Sequence, residues 1–235
     1  ALLEEQGLDS TAAEIIASFG KELKTGRYSS QIERFAEPLR DALEQQKPTV
    51  LMNRISAPSS EELRPHYQIG IAAPNSAGLV ALIAGACLDR HLDVHRAYAY
   101  TNPAFPVVLD FFEVASATAI LEPRKLAEQI QSALIERNFS HTDPAAILNA
   151  LNRRIFFEYE EPSGLFHLSI ETPGAKQGLF YSIARLLYEP IGADIYAAKL
   201  FPEGEGARHS FFFKTLSMNF RETEELVQKH FGYNH

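Results

Sequence analysis

One outline occurs twice in this chain, and that constrains the fold more than any other feature. The segment from Leu165 to Thr215 follows a segment lying about one hundred residues earlier, from His66 to Val114. Ile69-Gly70-Ile71 aligns with Leu168-Ser169-Ile170, and Pro74 with Pro173. Gly78-Leu79 aligns with Gly178-Leu179, and Asp93-Val94 with Asp194-Ile195, while Phe111-Phe112 falls near Phe212-Phe213. A repeat of this size with its glycines in step marks a duplicated supersecondary unit.

Each copy has a physical reading. Tyr67 to Ala72 alternates apolar and polar residues, which suits a strand with one buried face. Pro74-Asn75 and Pro173-Gly174 break the strand into a short loop. After Gly78, residues Leu79, Leu82, Ile83, Ala86 and Cys87 recur at helical spacing, as do Leu179, Ile183, Leu186 and Leu187 after Gly178. Strands follow over Asp93–Thr101 and Asp194–Phe201, then over Pro106–Val114 and Ala207–Thr215, and a polar helix closes each copy. The order β-α-β-β-α, with room for a further strand, is most of a ferredoxin-like unit. The expected class is therefore α+β, with two βαββα(β) units, antiparallel sheets and helices on one face. Domain boundaries are expected at 1–65 (helical, one strand), 66–138 (first unit), 139–164 (connector) and 165–235 (second unit). Asp93–Thr101 and Asp194–Phe201 are the sheet edges expected to pair, with each other or with a second chain.

Charge and cysteine usage exclude several function classes. With 22 Lys and Arg against 30 Asp and Glu, the net charge is −8, which leaves no cationic excess for nucleic acid. One cysteine, Cys87, rules out an internal disulfide and fits a reducing cytoplasm. No initiator Met or signal pattern opens the chain, which we read as a piece of something longer. No Lys, Arg, Asp or Glu lies between Arg64 and Asp89. Pro74, Asn75 and Ser76 interrupt that run, so no membrane span is expected.

The regions outside the repeat read as helices and a hairpin. Thr11 with Glu14 and Ser30 with Glu33 have capping-box spacing, and Pro38 is expected to kink the second of these helices. Thr49–Ile55 reads as a strand. Asn53-Arg54-Ile55 finds an echo in Asn152-Arg153-Arg154-Ile155, which extends the repeat upstream of each copy. Asp143-Pro144 starts a helix, and Arg154–Glu160 with Leu165–Glu171 reads as a hairpin around Pro162-Ser163-Gly164.

Catalytic chemistry is sparse. His91, Asp93 and His95 would share one face of a strand and could hold zinc or iron. Asp194 recurs in the second copy without either histidine, so shared architecture accounts better for Asp93. The lysine of Gly174-Ala175-Lys176-Gln177-Gly178 does not stand in phosphate-loop order. No catalytic residue, metal or cofactor is expected. What remains is binding, because each strand–loop–helix junction ends in helix N-terminal amides suited to a carboxylate. Glycine there also permits close packing of helix on sheet, and both readings stand.

The same residues resemble a known family. Pro74–Leu79 with Asp93 and Ala97, and Pro173–Leu179 with Asp194 and Ala198, are similar to the ACT domain. The resemblance covers about half of the chain, and the small-residue helix of the first copy departs from the pattern. ACT domains are regulatory modules that commonly bind amino acids where two of them meet, often beside amino-acid-metabolising catalytic domains. The resemblance implies a tandem regulatory region of such an enzyme. Large bacterial NAD-dependent glutamate dehydrogenases carry ACT-like repeats of this kind in long N-terminal regions. It implies an amino-acid effector, self-association and the rest of a parent enzyme as partners. Asn75, Ser76, Gly78 and Leu79 in the first copy, and Gly174, Gln177, Gly178 and Leu179 in the second, would line the sites. A ligand-independent assembly module is the alternative.

Overall fold

A computed structural model describes residues 10–56, 64–116, 122–174, 176–203, 206–215 and 217–232. Its centre is one antiparallel sheet of eight strands: β1 (Thr49–Ile55), β2 (His66–Pro74), β3 (Leu92–Thr101), β4 (Val107–Ser116), β5 (Arg154–Glu160), β6 (Leu165–Thr172), β7 (Ala193–Glu203) and β8 (Gly206–Thr215). Across the sheet they run β1-β2-β4-β3-β7-β8-β6-β5. The second half of that order mirrors the first. The two halves join where β3 pairs with β7, with Ala97 opposite Ala198, Arg96 opposite Lys199 and Tyr98 opposite Ala197. A local twofold relation passes through the Ala97–Ala198 pair. Ala97 lies opposite Phe112 of β4, and Ala198 opposite Phe211 of β8. Both strands also carry a bulge at the same place, between Val94 and Arg96 and between Ile195 and Ala197.

Five helices cover one face of the sheet: α4 (Leu79–Leu88), α5 (Pro123–Glu136), α6 (Pro144–Asn149), α7 (Leu179–Tyr188) and α8 (Phe220–Phe231). Leu82, Ile83, Ile183 and Leu187 are buried between these helices and the sheet, as the helical spacing predicts. Every residue of α4 from Leu79 to Cys87 is buried, which explains its apolar character all round. Gly85 lets α7 and the connector approach closely. A Cβ there would meet Tyr181 at 3.0 Å and the Ser140 amide at 3.2 Å.

Among the described residues, the other face is covered only over the first half. There α1 (Ser10–Ser18), α2 (Lys21–Thr25), a 3-10 turn (Ser29–Phe35) and α3 (Ala36–Gln45) enclose a second core with Ala72, Val107, Leu109 and Phe111. Tyr28 stacks on Phe111, with ring centroids 4.3 Å apart, and Phe35 meets the same ring edge-on. Thr11 lies inside α1 rather than at its cap. Pro38 is the third residue of α3, and the helix expected from Ser30 is divided just before it, into a 3-10 turn up to Phe35 and an α-helix from Ala36. In the first turn its missing N–H has no intrahelical acceptor to lose.

The connector helix starts as the sequence suggests. Asp143 accepts the Ala145 amide at 3.0 Å, with Pro144 in the first turn. A full capping box, Asn219 with Glu222, starts α8. Among the described residues, no helix is long and apolar enough to cross a membrane.

Candidate functional site

Both strand–loop–helix junctions converge on the seam between the halves. Gly78 precedes α4 and Gly178 precedes α7, each in the left-handed region at φ 78° and φ 81°. Each glycine is roofed by the last residue of the other half's helix. A Cβ on Gly78 would lie 2.6 Å from the Tyr188 ring. One on Gly178 would lie 2.9 Å from Ile147 and 3.2 Å from Leu88. Phe139 stacks on Tyr188 at 5.8 Å, and the Arg185 guanidinium sits 3.6 Å over the Phe139 ring. This close packing across the seam requires glycine on backbone and steric grounds together.

A prediction follows from that geometry. Gly192, at φ 64°, has open space where its Cβ would go. Alanine at either position pays the left-handed penalty of about 1–2 kcal/mol, and Gly178→Ala adds the crowding. Gly178→Ala is expected to lower stability by about 1–2 kcal/mol more than Gly192→Ala in matched urea titrations. Equal losses would show that the roof gives way freely.

Two small cavities of about 20 Å³ lie beside the junctions, each with room for about one water. The Gly78 cavity is bounded by Asn75, Ser76, Leu79, Asp110 and, from the other half, Tyr188 and Asp194. The Gly178 cavity is bounded by Lys176, Tyr181, His209 and, from the other half, Leu88, Asp93 and His95. The structure therefore brings Asn75, Ser76, Gly78 and Leu79 together. Of the second set, Gly178 alone lines its cavity. Gln177 is exposed and Leu179 is buried in the core. The Gly174 carbonyl accepts the Thr172 hydroxyl at 2.8 Å. Ala175 lies outside the described residues. Asn75, Ser76 and Leu79 also border an open groove of about 580 Å³, with Lys47, Leu82 and Arg137 on its other sides.

Sequence reasoning missed the buried titratable pair at these junctions. Ile71 lies opposite Asp110 in the β2–β4 ladder, and Ile170 opposite His209 in the β6–β8 ladder. Asp110 and His209 thus hold equivalent positions. Burial pushes the Asp110 carboxyl up to about 8, against the Tyr100 amide donating at 3.2 Å, with the charge of Asp194 adding to the rise. Burial raises Asp194 as well. Burial pushes His209 down to about 4. A signal was present in the alternation itself, since Asp110 and His209 both fall on the apolar face of their strands.

The metal trio is not assembled. Among the described residues, no group of three His, Cys, Asp or Glu side chains stands where it could hold an ion. His91 lies in the turn before β3 with φ 55°, and a bulge interrupts the ladder between Val94 and Arg96. Asp93 instead pairs with Arg64 at 3.4 Å. Cys87 is buried and burial pushes its thiol up to about 12, so it is inert. No protein-family model and no curated protein matches this chain.

Proposed function

We propose that this chain is a tandem, ACT-like regulatory region that binds a free amino acid at the seam between its halves. In this reading each half is a ferredoxin-like unit whose fourth strand comes from upstream. β1 and β5 stand in the outer place that a C-terminal strand would otherwise take, which enlarges the repeat beyond 66–138 and 165–235. The observation that supports the reading is the convergence of both glycine junctions on one interface, each closed by the other half's helix. A ligand held there contacts both halves, so its binding free energy depends on how they sit. That is the requirement for coupling an effector to a distant catalytic unit. The parent would be a cytoplasmic amino-acid-metabolising enzyme, with NAD-dependent glutamate dehydrogenase the first candidate.

The small size of the cavities favours a second reading, a ligand-independent assembly module. Thermal scans of the chain with each of the twenty amino acids at millimolar concentration separate the two. At one hundred times the dissociation constant, ligand linkage contributes about 2.7 kcal/mol. That is expected to raise the melting temperature by roughly 5–10 °C. Unchanged melting with all twenty would leave the assembly module.

A further inference from the structure

The two junctions share a backbone plan and differ in chemistry. Both cavities receive an aspartate from the other half, Asp194 at the Gly78 junction and Asp93 at the Gly178 junction. The remaining polar positions are opposite in kind. Two residues before the glycine stands Ser76 in one and Lys176 in the other. At the equivalent strand position stands Asp110 in one and His209 in the other.

His209 is the unusual group. It is 3% exposed, and neither ring nitrogen has a hydrogen-bond partner among the described residues. A buried imidazole with both nitrogens unmatched loses its hydration without return. Its ring borders the cavity at the N-terminus of the ten-residue helix α7. Lys176 is exposed at the rim, and Asp93, His95 and Leu88 are half-buried, so the cavity runs from the surface to His209.

Resting on the amino-acid reading above, we infer that the seam takes one effector per chain, at the Gly178 junction. Its carboxylate is received by Lys176, the α7 N-terminal amides and His209, and its ammonium by Asp93. A cavity sized for one water admits one carboxylate oxygen beside His209 and leaves the rest of the ligand towards the rim. The Gly78 junction takes none. Its side chains offer two carboxyls, Asp110 and Asp194, and no cation, so an anionic head finds no countercharge there for the hydration it loses. The groups facing His209 across its cavity are Asp93 and His95 on β3, Lys176 in the loop and Tyr181 on α7.

Imidazole NMR of the chain tests this with two probes. Sodium acetate, the bare carboxylate, is expected to shift the His209 ring signals and raise the midpoint of their titration from about 4. Any amino acid that binds is expected to do the same with a stoichiometry of one by calorimetry. Lys176→Gln, an exposed change, is expected to weaken both by at least about tenfold, the loss of a charge-assisted contact. His209→Gln keeps a donor and acceptor and reports whether the ring itself is needed. An amino acid that binds without moving His209, or binds twice per chain, overturns the inference and leaves the regulatory reading intact. Acetate moving His209 while no amino acid binds supports the carboxylate site and overturns the amino-acid reading. Silence with every probe overturns both.

Discussion

Asp110→Asn is expected to stabilise the protein at neutral and alkaline pH and to leave it nearly unchanged near pH 4. Asp110 keeps its proton up to about pH 8 when folded, and an unfolded aspartate releases it near 3.9. A carboxyl whose folded pKa is raised contributes fully below the unfolded value and loses that contribution as pH rises through the folded value. The wild-type protein therefore gives up stability between about pH 4 and pH 8, and asparagine removes that loss. At 1.36 kcal/mol per unit, the gain by pH 8.5 is roughly 3–5 kcal/mol, or roughly 8–15 °C in melting temperature. The asparagine carbonyl can still accept the Tyr100 amide that Asp110 accepts at 3.2 Å.

His209 runs the other way. Its folded pKa of about 4 lies below the unfolded value near 6.5, so its contribution is complete above 6.5 and is lost as pH falls through 4. From these two groups alone, wild-type stability is expected to be flat from pH 4 to 6.5 and to fall from 6.5 to 8. Urea melts across that range check both profiles. An Asp110→Asn protein no more stable than wild type at pH 8.5 would contradict the buried, protonated carboxyl.

Glu113→Ala is expected to cost about 3–4 kcal/mol and to release the N-terminal helices from the sheet. Glu113 is buried on β4 and accepts from Tyr28 at 3.0 Å, Arg27 at 2.9 Å and Arg96 at 3.1 Å. Burial first, and Glu113 second, hold the Tyr28 phenol above its usual range, so it remains a donor. Removing Glu113 strands that hydroxyl in the second core. Arg27 and Arg96 are 55% and 34% exposed, so water replaces much of what they lose. Glu113→Gln, which still accepts from Tyr28, is expected to cost about half as much. Hydrogen exchange should quicken over α1 to α3 and leave α7 and α8 unchanged. Uniform quickening of the whole chain would contradict a local role.

What was legible in the sequence follows from periodicity. The duplicated glycines and alternating runs located β2, β3, α4 and their partners. Asp93–Thr101 and Asp194–Phe201, the sheet edges expected to pair, are the strands that meet at the seam. The covering of the second face has a signal in the sequence too. Val107, Leu109 and Phe111 alternate with Val108, Phe112 and Val114, so β4 is apolar on both faces, as a doubly covered strand must be. β8 carries Arg208, Ser210 and Lys214 on the face that no described helix covers. Three consecutive phenylalanines, Phe211 to Phe213, allowed more than one alignment. The ladders settle it by setting Phe112 against Ile69 and Phe211 against Leu168. The Glu113 cluster joins residues far apart in the chain, and no local pattern announces such a contact.

The most direct test of the account is an amide NMR titration of the chain with the amino acid that most raises its melting temperature. Saturable shifts confined to the seam are expected, over Lys176 to Tyr181 and Asp93 to His95, at one equivalent per chain. Shifts centred instead on Lys47 and Arg137 in the open groove, or no saturable shift with any amino acid, would contradict it.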